Sequence, residues 1–221
     1  AGKKEGVDKY FCVGDIVGYG ANPHECIEIT RQLKCPVVCG NHDQAAAGTF
    51  GTDYFNEDAK KAVIWTKGAL GDIDKDYLKS LKLMYQDDEC TLVHGGLDHP
   101  EDFGYIRDAA EAAGSIDLQK TLLCFVGHSH RAAIFYKDAE GCVQFAEEPK
   151  VRLTPGRRYL VNVGSIGQPR DGDWRSSYCV YDTEDNILRI ERIDYDVKKA
   201  QDEILKAGLP SSLAVRLAEG R

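Results

Sequence analysis

The chain has no apolar stretch of the length needed to span a bilayer, which excludes an ordinary transmembrane helix. It also lacks the apolar core of a signal peptide: it opens on Ala1-Gly2-Lys3-Lys4-Glu5-Gly6, so a cytoplasmic location is the expectation. No Cys-x-x-Cys pair occurs among its eight cysteines. Most of them (Cys12, Cys39, Cys90, Cys124, Cys179) lie inside apolar runs, where a thiol behaves as a small hydrophobe. Reduced, structural cysteines are expected, rather than a disulfide framework or a zinc knuckle. Internal repeats, low-complexity segments and linkers are missing as well. So is any excess of positive charge: the formal net charge of −8 disfavours a surface that grips nucleic acid through many phosphate contacts. It leaves a small phosphate-bearing substrate open, because bound divalent cations reverse the local sign.

What is present suits one folded unit. The 221 residues, with 43% hydrophobic and 29% charged, are enough for a single substantial domain over residues 1–221 and short for two. Nothing in the sequence specifies an oligomeric state.

Four short apolar runs each end in residues able to hold a metal. Lys9 to Val13 stops at Gly14-Asp15, and Pro36 to Cys39 stops at Gly40-Asn41-His42-Asp43. Cys90 to Val93 stops at His94-Gly95-Gly96, and Leu122 to Val126 stops at Gly127-His128-Ser129-His130. Such runs, punctuated by glycine, read as strands buried on both faces. Ligands collect outside the carboxyl ends of strands of this kind, so the four ends are expected to converge.

Between and after them the periodicity predicts helices over Pro23 to Leu33, Asp53 to Ala69, Asp74 to Leu81 and Ile106 to Ala113. Beyond His130 the texture becomes strand-rich. Ala132 to Tyr136 and Cys142 to Ala146 flank the turn signal Asp138-Ala139-Glu140-Gly141, and strands are predicted at Tyr159 to Val163, Ser177 to Tyr181 and Ile187 to Ile193. Helices over Val197 to Ala207 and Ser212 to Ala218, parted by Gly208-Leu209-Pro210, close the chain.

The donor types match a hydrolytic metal centre. A carboxylate can bridge two cations, an amide oxygen is a neutral ligand, imidazoles supply nitrogen, and positions stay open for water and phosphate. His128 and His130, two apart, would face one side of an extended segment. Gly14-Asp15, Gly40-Asn41-His42-Asp43, Val93-His94-Gly95 and Gly127-His128-Ser129-His130, in this order, resemble the calcineurin-like metallophosphoesterase superfamily. The resemblance implies an α/β fold, an α/β/β/α sandwich of two mixed sheets flanked by helices. It implies two divalent or trivalent ions (Mn, Fe, Zn or similar), with Asp15 bridging, Asn41, His94 and His128 completing the second site, and His130 serving the first. It also implies that His42 contacts phosphate and protonates the leaving oxygen while a hydroxide held by the metals attacks. Asp43 either orients a neighbour or caps a turn.

The family's opening Asp-x-His motif does not precede Asp15, and the first residues resemble the end of the helix that follows it. An N-terminal segment of on the order of 25 residues, a strand plus a helix, is therefore expected ahead of Ala1. The block Gly14-Asp15-Ile16-Val17-Gly18-Tyr19-Gly20 lacks the second Asp and the Arg of Ser/Thr protein phosphatases, which argues against that activity. The segment Val161 to Asp173 instead resembles a block in the YfcE-like phosphodiesterase branch, which includes some dinucleoside polyphosphate hydrolases. There Arg170 is either a phosphate anchor or part of a tight Gly/Pro turn, and Arg131 has the same two readings. Tyr19, His24 and Trp174 either border the substrate or pack. The expected activity is hydrolysis of a small phosphodiester or dinucleoside polyphosphate. A phosphomonoesterase, a nuclease or a non-catalytic module that keeps the fold remain as alternatives.

Overall fold

A computed structural model describes residues 6–221; the helix end expected at the start of the chain lies largely outside them. Seven α-helices and nine strands are formed among the described residues, in the mixed α/β class expected. None of the helices is long and apolar enough to cross a membrane. Contacts divide the chain into two compact units, one running to Lys82 and resuming over Asp196–Glu219, the other spanning Leu83–Tyr195 with Gly220–Arg221.

The first unit is mostly helical. α1 (Pro23–Leu33) begins with proline in its first turn, where a missing N–H costs nothing, and ends at Lys34 in the left-handed region. α2 (Asn41–Ala47), α3 (Glu57–Ala69) and α4 (Asp72–Ser80) follow, and α6 (Val197–Lys206) and α7 (Ser211–Val215) return to this unit near the end of the chain. The predicted helix from Asp53 starts later because Asn56 caps it, its Oδ1 accepting from the Ala59 N–H at 2.9 Å. Two apolar clusters hold the unit together: Val17, Ile27, Ala46, Ala47, Leu70 and Leu78 form one. Ala62, Ile204, Leu209, Leu213, Ala214 and Leu217 form the other.

The first two apolar runs are not full strands here. Cys12 makes a single parallel bridge with Val37, and Val38 another with Lys82. Cys12 donates to the Pro36 carbonyl and accepts from Val38, while Cys39 donates to Lys82 at 2.9 Å. Pro36 has no N–H to extend the ladder, and Gly14 and Gly40 stop it after one step. Burial pushes the Cys12 thiol up to about 12, so it stays neutral.

The second unit carries both sheets. Its six-stranded mixed sheet has the order β1 (Met84–Gln86), β2 (Cys90–Val93), β3 (Leu123–Val126), β7 (Tyr159–Asn162), β4 (Ala133–Lys137), β5 (Val143–Phe145). β2, β3 and β7 run parallel, with Thr91 opposite Cys124 and Cys124 opposite Leu160. β4 and β5 form the hairpin predicted around Asp138 to Gly141. α5 (Ala109–Leu118) packs Ala112 and Ile116 onto Val93, Cys124, Val126, Leu160 and Phe135. Full burial of each large apolar side chain is worth about 1.5–3 kcal/mol. α5 starts three residues later than its Ala-rich pattern suggests because the Asp108 carboxylate accepts from the N–H groups of Ala110 and Glu111.

The smaller sheet has the order β6 (Lys150–Arg152), β9 (Ile187–Ile193), β8 (Ser176–Asp182). It is antiparallel throughout, not mixed, because β8 and β9 are joined by a tight turn and β6 adds to the far side of β9 in the opposite direction.

Candidate functional site

In the first unit the candidate ligands sit where the two bridged runs end. Gly14 has φ +91, and a side chain there would lie 2.6 Å from the Gly40 nitrogen. A side chain on Gly40 would collide with the Asp15 carboxylate. The two glycines therefore let two loops nest back to back. Asp15 itself has φ +52, a conformation that an Asp tolerates better than most residues. Its Oδ1 accepts the backbone N–H of His42 at 3.0 Å.

Gly40 precedes α2 as its N-cap, so Asn41 and His42 occupy the first helical turn. The sequence pattern predicts no helix here; the small residues Ala45 to Ala47 carry it. Asp43, fully buried, accepts from the Gly40 N–H at 3.0 Å and from the Val17 N–H at 3.3 Å. Of its two readings, the cap is the one observed. Asn41 Oδ1 is buried without a hydrogen-bond partner among the described residues. A buried amide oxygen left in that state is costly unless a cation or water meets it.

His42 is 4% exposed. Its ring lies between Tyr19, 4.4 Å away, and Phe55, 4.8 Å away and edge-on. Gly18 makes room for it: a Cβ there would fall 2.6 Å from His42 Nδ1. Tyr19 thus packs on His42, with the Arg216 guanidinium 5.8 Å from its ring. His24 does something else. Its Nδ1 pairs with Asp74 at 2.9 Å, which links α1 to α4 and raises the imidazole pKa.

In the second unit, His94 and His128 follow the adjacent parallel strands β2 and β3. The loops are tied together by the Gly127 N–H donating to the His94 carbonyl at 2.9 Å. The two rings are buried and 5.0 Å apart at 61°. Phe103 packs edge-on to His94, and Tyr105 stacks on His128 at 4.0 Å. Neither aromatic was legible as a site residue, since both lie in a Gly/Asp-rich loop without periodicity.

His128 and His130 both have φ +59, in the left-handed region on either side of Ser129, so the segment is bent and not extended. Tertiary hydrogen bonds impose this. Asn162, fully buried, donates from Nδ2 to the Gly127 carbonyl at 2.7 Å and to Ser129 Oγ at 2.8 Å. His130 Nδ1 lies 2.7 Å from the Gln168 carbonyl, which can only accept. The proton is therefore on Nδ1, and a neutral ring keeps its lone pair at Nε2, the arrangement typical of a metal-ligating histidine.

The Gly/Pro turn after β7 also positions Arg170. Its N–H donates to the His130 carbonyl at 3.0 Å, and its guanidinium donates twice to Gln168 Oε1, at 3.2 and 2.8 Å. Arg131 is exposed, with its N–H 3.4 Å from Ser129 Oγ. Trp174 packs near Tyr195, ring centroids 6.0 Å apart.

The donor types are those of metal sites: a carboxylate and an amide oxygen buried without a hydrogen-bond partner among the described residues in the first unit, and three buried imidazoles in the second.

Comparison with known proteins agrees with this chemistry. Residues 2–186 match the calcineurin-like phosphoesterase superfamily domain. The chain is 40% identical to an uncharacterized protein of Methanocaldococcus jannaschii, over 99% of this chain and 89% of that protein. It superimposes on the crystal structure of a metallophosphoesterase from Sphaerobacter thermophilus with a TM-score of 0.85 and 38% identity, covering 97% of this chain and 89% of the other. A hypothetical protein from Pyrococcus horikoshii shares the fold, with a TM-score of 0.79 at 22% identity, covering 100% of this chain and 89% of that one. The chain therefore belongs to the calcineurin-like phosphoesterase superfamily, a family of phosphoester hydrolases.

Proposed function

We propose that this protein is a metal-dependent phosphoesterase that hydrolyses a small phosphodiester or a dinucleoside polyphosphate. Asp15, Asn41, His94, His128 and His130 would hold two ions of the Mn, Fe or Zn kind. When bound, such ions supply Lewis acidity toward phosphoryl oxygens and activate water near neutral pH.

The observation that carries the reading is the setting of His42. Its backbone is held by Asp15, and its ring is gripped between Tyr19 and Phe55. A metal-binding scaffold needs no such histidine beside a ligand. A fixed imidazole can donate a proton to a departing oxygen, a role worth about 10²–10⁴-fold in rate. Arg170, whose guanidinium donates to Gln168 Oε1, would hold a phosphate oxygen.

The test is turnover of an aryl phosphodiester, an aryl monoester and a dinucleoside tetraphosphate with added Mn²⁺. Diester or tetraphosphate hydrolysis is expected to dominate, and His42→Ala to reduce kcat by about 10²–10⁴ with the protein still folded. No metal-stimulated turnover on any of the three would favour the non-catalytic module instead.

A further inference from the structure

β3 and β4 pair with opposite sides of β7, so the loop between them, residues 127–132, arches over the end of that central strand. Asn162 ends β7, in register with Val126 on one side and Ala133 on the other. Its side chain fills the arch. Both Nδ2 hydrogens are used, on the Gly127 carbonyl and on Ser129 Oγ, and Oδ1 accepts the Gly164 N–H at 3.1 Å. The amide orientation is therefore fixed by its partners.

The arch carries two histidines at φ +59. A left-handed conformation at a residue other than glycine is strained and persists only where the surroundings over-determine it. Asn162 supplies that determination from inside the arch. Its own position is set by Gly164, where φ is +75 and a side chain would run into Ser177.

We propose that Asn162 is a positioning residue: it holds the Gly127 to His130 turn in the conformation that presents His128 and His130, and so sets the affinity of the centre for its metal. The metal part rests on the function proposed above. Outer partners that orient ligands are worth about 10–100-fold in metal affinity. Asparagine is specifically required. An aspartate of the same shape would set a carboxylate oxygen against the Gly127 carbonyl, with no proton to donate.

Two readouts decide it. In metal-free protein, amide hydrogen exchange across residues 127–132 is expected to accelerate at least about tenfold in Asn162→Ala and Asn162→Asp, with the helices of the other unit unchanged. In calorimetric titration with Mn²⁺ alone, both variants are expected to bind about 10–100-fold more weakly than wild type. Wild-type exchange in the arch, or wild-type Mn²⁺ affinity, in a folded Asn162 variant overturns the proposal. If neither Asn162 variant folds, Ser129→Ala removes one of the two acceptors without opening a large cavity. It is then expected to shift both readouts in the same direction by about threefold or more, and no shift overturns the proposal. If wild type itself binds no Mn²⁺, the metal reading is what fails, and exchange in the arch alone decides whether Asn162 positions the turn.

Discussion

The imidazole of His130 is anchored to the backbone of Gln168, with Nδ1 2.7 Å from the carbonyl oxygen. This contact spans 38 residues and joins the histidine turn to the Gly/Pro loop that carries Arg170. A carbonyl acceptor selects one tautomer.

In metal-free protein at a pH where the ring is neutral, His130 is expected to be the Nδ1–H tautomer. Free histidine favours the other one, so the assignment is diagnostic. Long-range proton–nitrogen correlation spectra read it directly. An Nε2–H ring would contradict the geometry and the ligand role built on it.

The contact of His24 with Asp74 predicts a pH dependence of stability. The hydrogen bond to the Asp74 carboxylate raises the His24 pKa above its usual value of about 6.5. A raised folded-state pKa means that the stabilisation is fully present below the unfolded value and disappears as pH rises through the folded one. The urea midpoint of wild type is therefore expected to fall more between about pH 5.5 and about pH 8.5 than that of His24→Gln. Equal falls in the two proteins would show that the pair contributes nothing.

Two glycine substitutions should have opposite signs. Gly40→Ala drives a methyl group into the Asp15 carboxylate and to 2.6 Å from the Asp15 backbone nitrogen, so a loss of about 1–3 kcal/mol is expected. Gly114→Ala, in the middle of α5 with open space around it, is expected to gain about 0.5–1 kcal/mol. Urea denaturation measures both. A Gly40→Ala protein as stable as wild type would mean that the two loops do not nest as described.

Much of the fold could be read from local pattern. Ile187–Ile193 and Pro23–Leu33 match their predicted bounds because alternation, turns and a leading proline are local signals. α2 leaves no signal in the sequence because its seven residues are too few to show a period, and its cap comes from the Asp43 carboxylate reaching back to Gly40. β1 and β6 leave none either, because three-residue strands are defined by their neighbours.

For the candidate site, the types and order of Asp15, Asn41, His42, His94, His128 and His130 were determined by sequence alone, since donor chemistry belongs to the residue. So was the family. Which conformation those residues adopt was decided by the tertiary structure. The left-handed backbone at His128 and His130, the tautomer of His130 and the aromatic grip on His42 all depend on Asn162, Gln168, Tyr19 and Phe55. The physical reason is separation along the chain. A hydrogen bond or ring contact between residues tens of positions apart leaves no period or spacing in the sequence and exists only once the chain has folded.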